Sequence, residues 1–271
     1  MKRQIVLKVI GYALVGLWLS IGLFSGIAQS QTQQQTTTTP SFTVTYTTAE
    51  TGRGQEIQGL MQRTQSMERL LSGVNQILFL PEPLTVNQQE CGMVNAYYSP
   101  VDRQIVMCYE LVDYFLNLYA SQNDPSAPPA EVSTAGALAF VLWHEIGHAL
   151  VDILDVPVLG REEDAADQFS TVLLARTDVG HAAAQAAAIW FYVGSGQQDY
   201  TNIPYWDEHS LDLQRFYSIV CLLYGSSPNN YAGLMQELNI PERRQAMCET
   251  EYAETWENWK EIIGPYVRVP S

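Results

Sequence analysis

A long apolar run that contains three ionisable side chains constrains this chain more than any other feature of its sequence. Between Ala135 and Val151 every residue is apolar except His144, Glu145 and His148. Such a run predicts a helix that is buried on nearly all sides. Burying ionisable groups costs free energy unless other groups satisfy them. We therefore expect these three side chains to have partners.

The three side chains form the pattern HExxH. Residues four apart lie on the same face of a helix, so His144 and His148 can bind one metal ion. Glu145 lies about 100° around the helix, where it can act as a general base on water bound to that ion. The alternative is a pair of core histidines hydrogen-bonded to the backbone, with Glu145 facing a solvent channel.

An acidic segment after Gly160 offers a third ligand. Glu163 and Asp167 are four residues apart, so one can bind the metal while the other accepts a hydrogen bond from a ligand imidazole. Two imidazoles and a carboxylate suit Zn²⁺, because calcium and magnesium prefer oxygen ligands. Glu162 is the alternative ligand, and the segment could instead be a solvated helix start.

A late histidine, His209, is a second catalytic candidate. Attack of metal-activated water on a carbonyl produces an oxyanion, which needs a hydrogen-bond donor beyond the metal. His209 could supply that donor, and Arg215 follows six residues later. A helix-capping or surface role explains His209 equally well.

The first 28 residues have the features of an export signal. A basic start precedes an apolar run from Val9 to Ile27, and small residues at positions 26 and 28 fit a signal-peptidase site. We expect an exported protein, periplasmic or extracellular, with 1–28 removed. The alternative is an uncleaved anchor that tethers the N-terminus to a membrane, because this run could just span a bilayer.

Charge and length narrow the partners and the domain count. The chain has 29 Asp and Glu against 14 Lys and Arg, so it cannot easily form the basic face that nucleic acid requires. We expect no nucleic-acid partner. The 271 residues fit one domain, placed at 41–271 behind a Gln/Thr-rich linker at 29–40.

Four cysteines form an even set behind the export signal, which predicts two disulfides. We expect Cys91 to pair with Cys108, because they bracket a predicted hairpin, and Cys221 to pair with Cys248, because both lie late in the chain. Free core thiols are the alternative. The CxxC spacing of zinc sites is absent, so the cysteines are not expected to bind the metal.

A strand pattern, then a helical pattern from Ile57 to Val74, then a second strand-like stretch precede a mostly helical part of the chain. An alternating strand pattern begins at Phe42, and a hairpin is predicted to turn at Pro100. Helical patterns follow near 111–119, 135–154, 161–177, 181–193, 208–224 and 241–262. This order predicts an α+β fold, with a small N-terminal sheet and an edge hairpin followed by a mostly helical part that carries the HExxH helix.

The HExxH motif followed by a Glu-x-x-x-Asp helix resembles the gluzincin metallopeptidases, especially the branch of the HtpX heat-shock proteases and the CAAX prenyl proteases. The resemblance implies a zincin-like domain with Glu163 as third ligand and Asp167 as its supporting aspartate. Asn95-Ala96-Tyr97 resembles the edge strand that pairs with the substrate backbone in that family. Asn95 and Ala96 are therefore implied to bind substrate.

His209 and Arg215 resemble the late His-Pro-x-x-x-x-Arg segment of the same branch, although Ser210 replaces the proline. The match runs in order from about Cys91 to Tyr217. It is closer still to a family of exported metallopeptidase-like proteins known only as a domain of unknown function. The branch is largely membrane-embedded, whereas this chain shows no second long apolar span free of charge.

Together these features predict zinc-dependent hydrolysis of a peptide or protein substrate. The alternative is a zinc-containing domain of the cell envelope that binds peptides or partners through the strand at 95–98 without cleaving them. The two functions differ at Glu145, which a hydrolase needs and a binding domain does not.

Overall fold

The computed structural model describes residues 41–122, 125, 127–203 and 205–268. The predicted signal peptide at 1–28 and the predicted linker at 29–40 lie outside the described residues. Residues 269–271, at the end of the predicted domain, lie outside them as well.

The strands of the small sheet all lie before Tyr109, with two helices between the first two strands, and helices dominate afterwards, which confirms the predicted α+β class. In chain order the elements are β1 (Phe42–Tyr46), α1 (Gly52–Thr64), α2 (Ser66–Ile77), β2 (Leu84–Gln89), β3 (Ala96–Ser99), β4 (Gln104–Cys108), α3 (Tyr109–Ala120), α4 (Ala130–Ile153), α5 (Glu162–Leu174), α6 (Asp178–Ser195), α7 (Asp212–Ser226), α8 (Pro228–Glu237) and α9 (Glu242–Ile263).

The sheet has the strand order β1-β2-β4-β3. The first three strands in this order run parallel, whereas β3 is antiparallel to β4. The predicted hairpin is therefore confirmed, with its turn at Pro100 between β3 and β4. Because β3 is the last strand in the order, one of its edges is left without a strand neighbour among the described residues.

Helix α4 carries the HExxH motif through the core. His144 and Glu145 are buried, as are the apolar residues around them, so the predicted burial of this helix is confirmed. By length and composition α4 could also cross a membrane, but 78% of its most apolar window is buried inside the protein. Apolar side chains from the sheet and from the other helices pack in the same core.

A glycine in the motif lets α5 approach α4 closely. A Cβ added at Gly147 would lie 3.1 Å from the Cα of Ala166 and 3.3 Å from a ring carbon of Phe169. Real Cβ atoms rarely make such short contacts, so the absence of a side chain at Gly147 allows the two helices to touch. This contact brings the acidic start of α5 over the two histidines of α4.

Both predicted disulfides are present. Cys91 is bonded to Cys108 and Cys221 to Cys248, and the chain has no free cysteine. The first bond ties the segment before β3 to the end of β4, and the second ties α7 to α9. The alternative of free core thiols is therefore wrong for this structure.

Candidate metal centre

Three predicted ligands converge where α5 crosses α4. The Nε2 atoms of His144 and His148 are 3.2 Å apart. One carboxylate oxygen of Glu163 lies 3.1 Å from Nε2 of His144, and the other lies 3.4 Å from Nε2 of His148. These side chains thus form a compact triangle of potential ligand atoms.

The outer nitrogens of both imidazoles have carboxylate partners. Nδ1 of His144 donates to Asp167 over 2.9 Å, and Nδ1 of His148 donates to Glu162 over 2.7 Å. In a neutral imidazole with its proton on Nδ1, Nε2 is a bare acceptor. Two such acceptors then face each other and the Glu163 carboxylate, so the site requires protons or a cation at its centre.

The donor set and its spacing fit a tetrahedral metal ion. Ligand atoms about 2.05 Å from such an ion lie about 3.3 Å from one another. The Nε2 atoms of His144 and His148 are 3.2 Å apart, and each lies in the same range, 3.1 and 3.4 Å, from a different oxygen of the Glu163 carboxylate. Two imidazoles and one carboxylate also leave a fourth position for water or substrate, as in catalytic zinc sites.

The site has a strong affinity for positive charge. Burial alone would lower the pKa of His144, but hydrogen bonds to Asp167 and Glu163 outweigh burial and raise that pKa to about 9. The pKa of His148 is also raised, because the carboxylates of Glu163 and Glu162 outweigh its burial and its neighbour His144. Without a metal ion, His144 therefore holds a proton at neutral pH.

Asp167 is fixed from a third helix. Arg215 on α7 donates two hydrogen bonds of 2.7 Å to its carboxylate, and the guanidinium carbon lies 4.1 Å from the ring centre of Phe191. Burial would raise the pKa of Asp167, but Arg215 and His144 lower it to about 2. Asp167 thus stays ionised and orients His144. The sequence resemblance grouped Arg215 with His209, but its guanidinium contacts Asp167.

Glu145 lies in the buried wall beside the ligands, and only 5% of it is exposed. Burial raises the pKa of its carboxyl, whereas the two histidines and the backbone N–H of Tyr98 lower it in part. A carboxylate in such surroundings is a stronger base than one in water, because burial disfavours its charged form. Glu145 as general base stays a prediction.

The edge strand β3 presents part of its backbone to the site. The carbonyl of Asn95 accepts a hydrogen bond from the N–H of Cys108 over 3.2 Å. Along an antiparallel pair of strands, hydrogen-bonded residue pairs alternate with pairs that are not hydrogen-bonded. The backbone groups of Ala96 and Tyr98 therefore face the free edge. Of the two predicted substrate-binding residues, Ala96 has backbone groups that face away from β4, while the carbonyl of Asn95 is occupied within the sheet.

His209 lies beside the third ligand. Its Nε2 is 3.2 Å from a carboxylate oxygen of Glu163, and its Nδ1 and backbone N–H both bond to Asp207. Arg161 at the start of α5 donates to the carbonyl of His209 over 2.9 Å. The next residue, Ser210, donates to Asp164 over 2.7 Å. These bonds to α5 hold the segment before α7 against the site, and α7 itself begins only at Asp212.

Some contacts of the site were not predicted from the sequence. Glu162, considered there as an alternative ligand, instead contacts the outer nitrogen of His148. The hydroxyl of Tyr98, which ends the predicted edge strand at 95–98, donates to Asp152 over 2.7 Å, and this contact was not predicted. Asp152 directly follows the apolar run of α4. Its place at the end of that run was the only sequence feature that could have drawn attention to it.

Comparison with known families agrees with this geometry. A profile of the DUF4344 family, described as "Putative metallopeptidase", matches residues 46–263, which is well over half of the 271 residues. No curated protein and no solved structure matches significantly. The match confirms the resemblance to metallopeptidases known only as a domain of unknown function, and the chain belongs to the DUF4344 family.

Proposed function

We propose that this protein is a zinc-dependent peptidase whose metal is held by His144, His148 and Glu163. The observation that carries the proposal is that the Nε2 atoms of His144 and His148 face each other beside Glu163, while the Nδ1 atoms of both rings are hydrogen-bonded to carboxylates. When bound, Zn²⁺ supplies Lewis-acid chemistry, since it polarises a scissile carbonyl and lowers the pKa of water.

The side chains around this triangle have distinct roles in the proposed reaction. Glu145 takes the proton of the attacking water and passes it to the leaving amine. His209, whose Nε2 lies 3.2 Å from a Glu163 oxygen in this structure, would donate from that nitrogen to the oxyanion as the carbonyl becomes tetrahedral. Asp167 and Glu162 hold the two imidazoles in the tautomer that directs Nε2 inward.

The substrate is proposed to be an extended peptide segment. Ala96 directs its backbone groups to the free edge of β3, and an extended peptide can add to such an edge as a further strand. The two disulfides support an oxidising destination outside the cytoplasm. An exported protein would meet peptides or unfolded protein segments there.

The buried carboxylate of Glu145 favours hydrolysis over the alternative, a zinc-containing domain that only binds peptides. Burying a carboxylate costs free energy, and a binding domain would gain nothing from that cost. The backbone edge of β3 serves either function equally well, so it does not distinguish them.

A peptide-cleavage assay on the Glu145→Gln variant tests the proposal. Wild-type protein loaded with zinc should cleave a mixture of unstructured peptides, and a chelator should stop cleavage. Glu145→Gln should retain zinc but lose activity by a factor on the order of 10² to 10⁴. Zinc-loaded wild-type protein that cleaves nothing would favour the binding domain, and unchanged cleavage by Glu145→Gln would exclude Glu145 as the base.

A further inference from the structure

Tyr98 on the edge strand reaches two groups of the HExxH helix. Its hydroxyl donates to Asp152 over 2.7 Å, and its backbone N–H is near enough to the carboxyl of Glu145 to lower the pKa of that group. Glu145 and Asp152 are seven residues apart, so they lie on the same face of α4 and about 10 Å apart along its axis. Tyr98 therefore lies along α4 for two helical turns.

Asp152 has a second partner in the hairpin turn. Arg103 lies in the turn between β3 and β4, with its guanidinium 3.5 Å from the carboxylate of Asp152. The backbone of Arg103 is in the left-handed region, with φ of 52°, which is uncommon for a residue with a side chain. The hairpin is thus attached to Asp152 at two points, through Tyr98 in β3 and through Arg103 in the turn.

The hydroxyl of Tyr98 is a donor over the whole physiological pH range. Burial and the neighbouring Asp152 raise its pKa to about 12, so the proton stays on the oxygen. Asp152 can then act only as the acceptor in this pair. A hydrogen bond to a carboxylate is stronger and shorter than one between neutral groups, which suits a contact that fixes a distance.

Strand β3 needs such a contact because sheet pairing supports it on one side only. Among the described residues, β3 pairs with β4 on one side and with no strand on the other. Val101 at the tip of the hairpin is 89% exposed. Catalysis is sensitive to small displacements, since a shift of about 1 Å between substrate and catalytic groups can lower the rate about 10²-fold.

We propose that the Tyr98–Asp152 hydrogen bond positions the free edge of β3 relative to Glu145, so that a peptide bound along this edge presents its scissile carbonyl to the base. Tyr98 and Asp152 are then positioning residues, and their effect depends on how far the substrate extends along β3. This inference rests on the proposed peptidase function.

Two types of substrate test the proposal. One is an unstructured peptide long enough to pair with Ala96, and the other is a blocked dipeptide that reaches only the metal. Tyr98→Phe and Asp152→Leu should lower kcat/KM for the long peptide about 10- to 100-fold, leave the short substrate close to wild type and leave zinc content unchanged. Asp152→Asn keeps an acceptor oxygen and should restore activity on the long peptide.

Tyr46→Phe is the matched control. Tyr46 donates its hydroxyl to the carboxylate of Glu68 over 2.9 Å, but it lies in β1 at the opposite edge of the sheet. Removing that hydroxyl should affect neither substrate selectively. Equal losses on the long and short substrates in Tyr98→Phe would show a merely structural role and would overturn the proposal.

Amide hydrogen exchange tests the same contact without any activity. Tyr98→Phe should accelerate exchange at Ala96 and at residue 98 in zinc-loaded protein, whereas Tyr46→Phe should not. Unchanged exchange at these two amides would overturn the positioning role even if wild-type protein cleaves peptides. Faster exchange in a protein that cleaves nothing would instead support the contact and contradict the peptidase function.

Discussion

The guanidinium of Arg215 donates hydrogen bonds to both carboxylate oxygens of Asp167, each over 2.7 Å. Both side chains are nearly buried, with 10% and 7% of their surfaces exposed. Asp167 in turn accepts a hydrogen bond from Nδ1 of His144. A continuous chain of contacts therefore runs from α7 through α5 to His144, a proposed metal ligand on α4.

Replacing Arg215 with alanine should weaken both folding and metal binding. The change leaves the carboxylate of Asp167 buried without its main partner, which costs about 3–5 kcal/mol of unfolding free energy. It also loosens His144, so zinc affinity should fall about 10- to 100-fold. Chemical denaturation and competition with a zinc chelator measure the two effects.

Arg244→Ala is the control for that experiment. Arg244 also makes two hydrogen bonds to one carboxylate, that of Glu251, but both side chains are about two-fifths exposed. Its loss should cost no more than about 1 kcal/mol and should not change zinc affinity. Equal effects of the two substitutions would contradict the role given to Arg215.

Two adjacent glutamates should respond differently to substitution. Glu163→Ala removes a proposed ligand and should lower zinc affinity by much more than Glu162→Ala, which removes only the partner of the outer nitrogen of His148. The expected loss for Glu162→Ala is about 10- to 100-fold. Zinc titrations of both variants would contradict the assignment if Glu162→Ala bound zinc more weakly than Glu163→Ala.

Zinc uptake at pH 7 should release protons. The pKa of His144 is about 9 without metal and that of His148 is raised, whereas zinc binds only neutral imidazole. We expect between about one and two protons per ion. Calorimetry in buffers of different ionisation enthalpy measures this number, and a value near zero would mean that the imidazoles are already neutral.

The same pKa values predict how the stability of metal-free protein depends on pH. A histidine whose folded-state pKa exceeds its ordinary value of 6.5 stabilises the fold below pH 6.5, and this contribution is lost as pH rises through about 9. Metal-free protein should therefore lose stability between pH 6.5 and 9, while zinc-loaded protein should not. Thermal unfolding measured across this pH range, with and without zinc, tests the prediction. Unfolding temperatures that change with pH in the same way for both forms would contradict it.

Both disulfides should contribute to stability. Each closes a loop, of 17 and 27 residues respectively, and a loop of that size is worth about 3 kcal/mol in the chain-entropy account. Replacing both cysteines of either pair with alanine should lower the unfolding free energy by roughly that amount. Mass mapping of unreduced protein checks the pairing, and four thiols open to alkylation would contradict it.

The sequence predicted the parts of the site that follow from local spacing. Two histidines four apart on an apolar helix and a carboxylate just after the next break are enough to suggest a ligand set, and the structure brings His144, His148 and Glu163 together. The hairpin and both cysteine pairings are likewise predictable, because each partner lies close in sequence to a recognisable turn or to the other cysteine.

Contacts between distant segments could not be predicted in this way. Tyr98 and Asp152 are separated by 54 residues, and neither belongs to a motif that would point to the other. Arg215 belongs to a family sequence pattern, but that pattern does not identify its buried partner, Asp167, because the contact depends on how α7 packs against α5. Helix α8 was not predicted, because it is short and only two of its ten residues are buried.

The zinc content of purified wild-type protein tests the central claim most directly. Protein prepared without chelators, or reconstituted with zinc and then desalted, should contain about one zinc ion per chain by elemental analysis. A protein with native helix content that retains no zinc after reconstitution would contradict the metal centre formed by His144, His148 and Glu163.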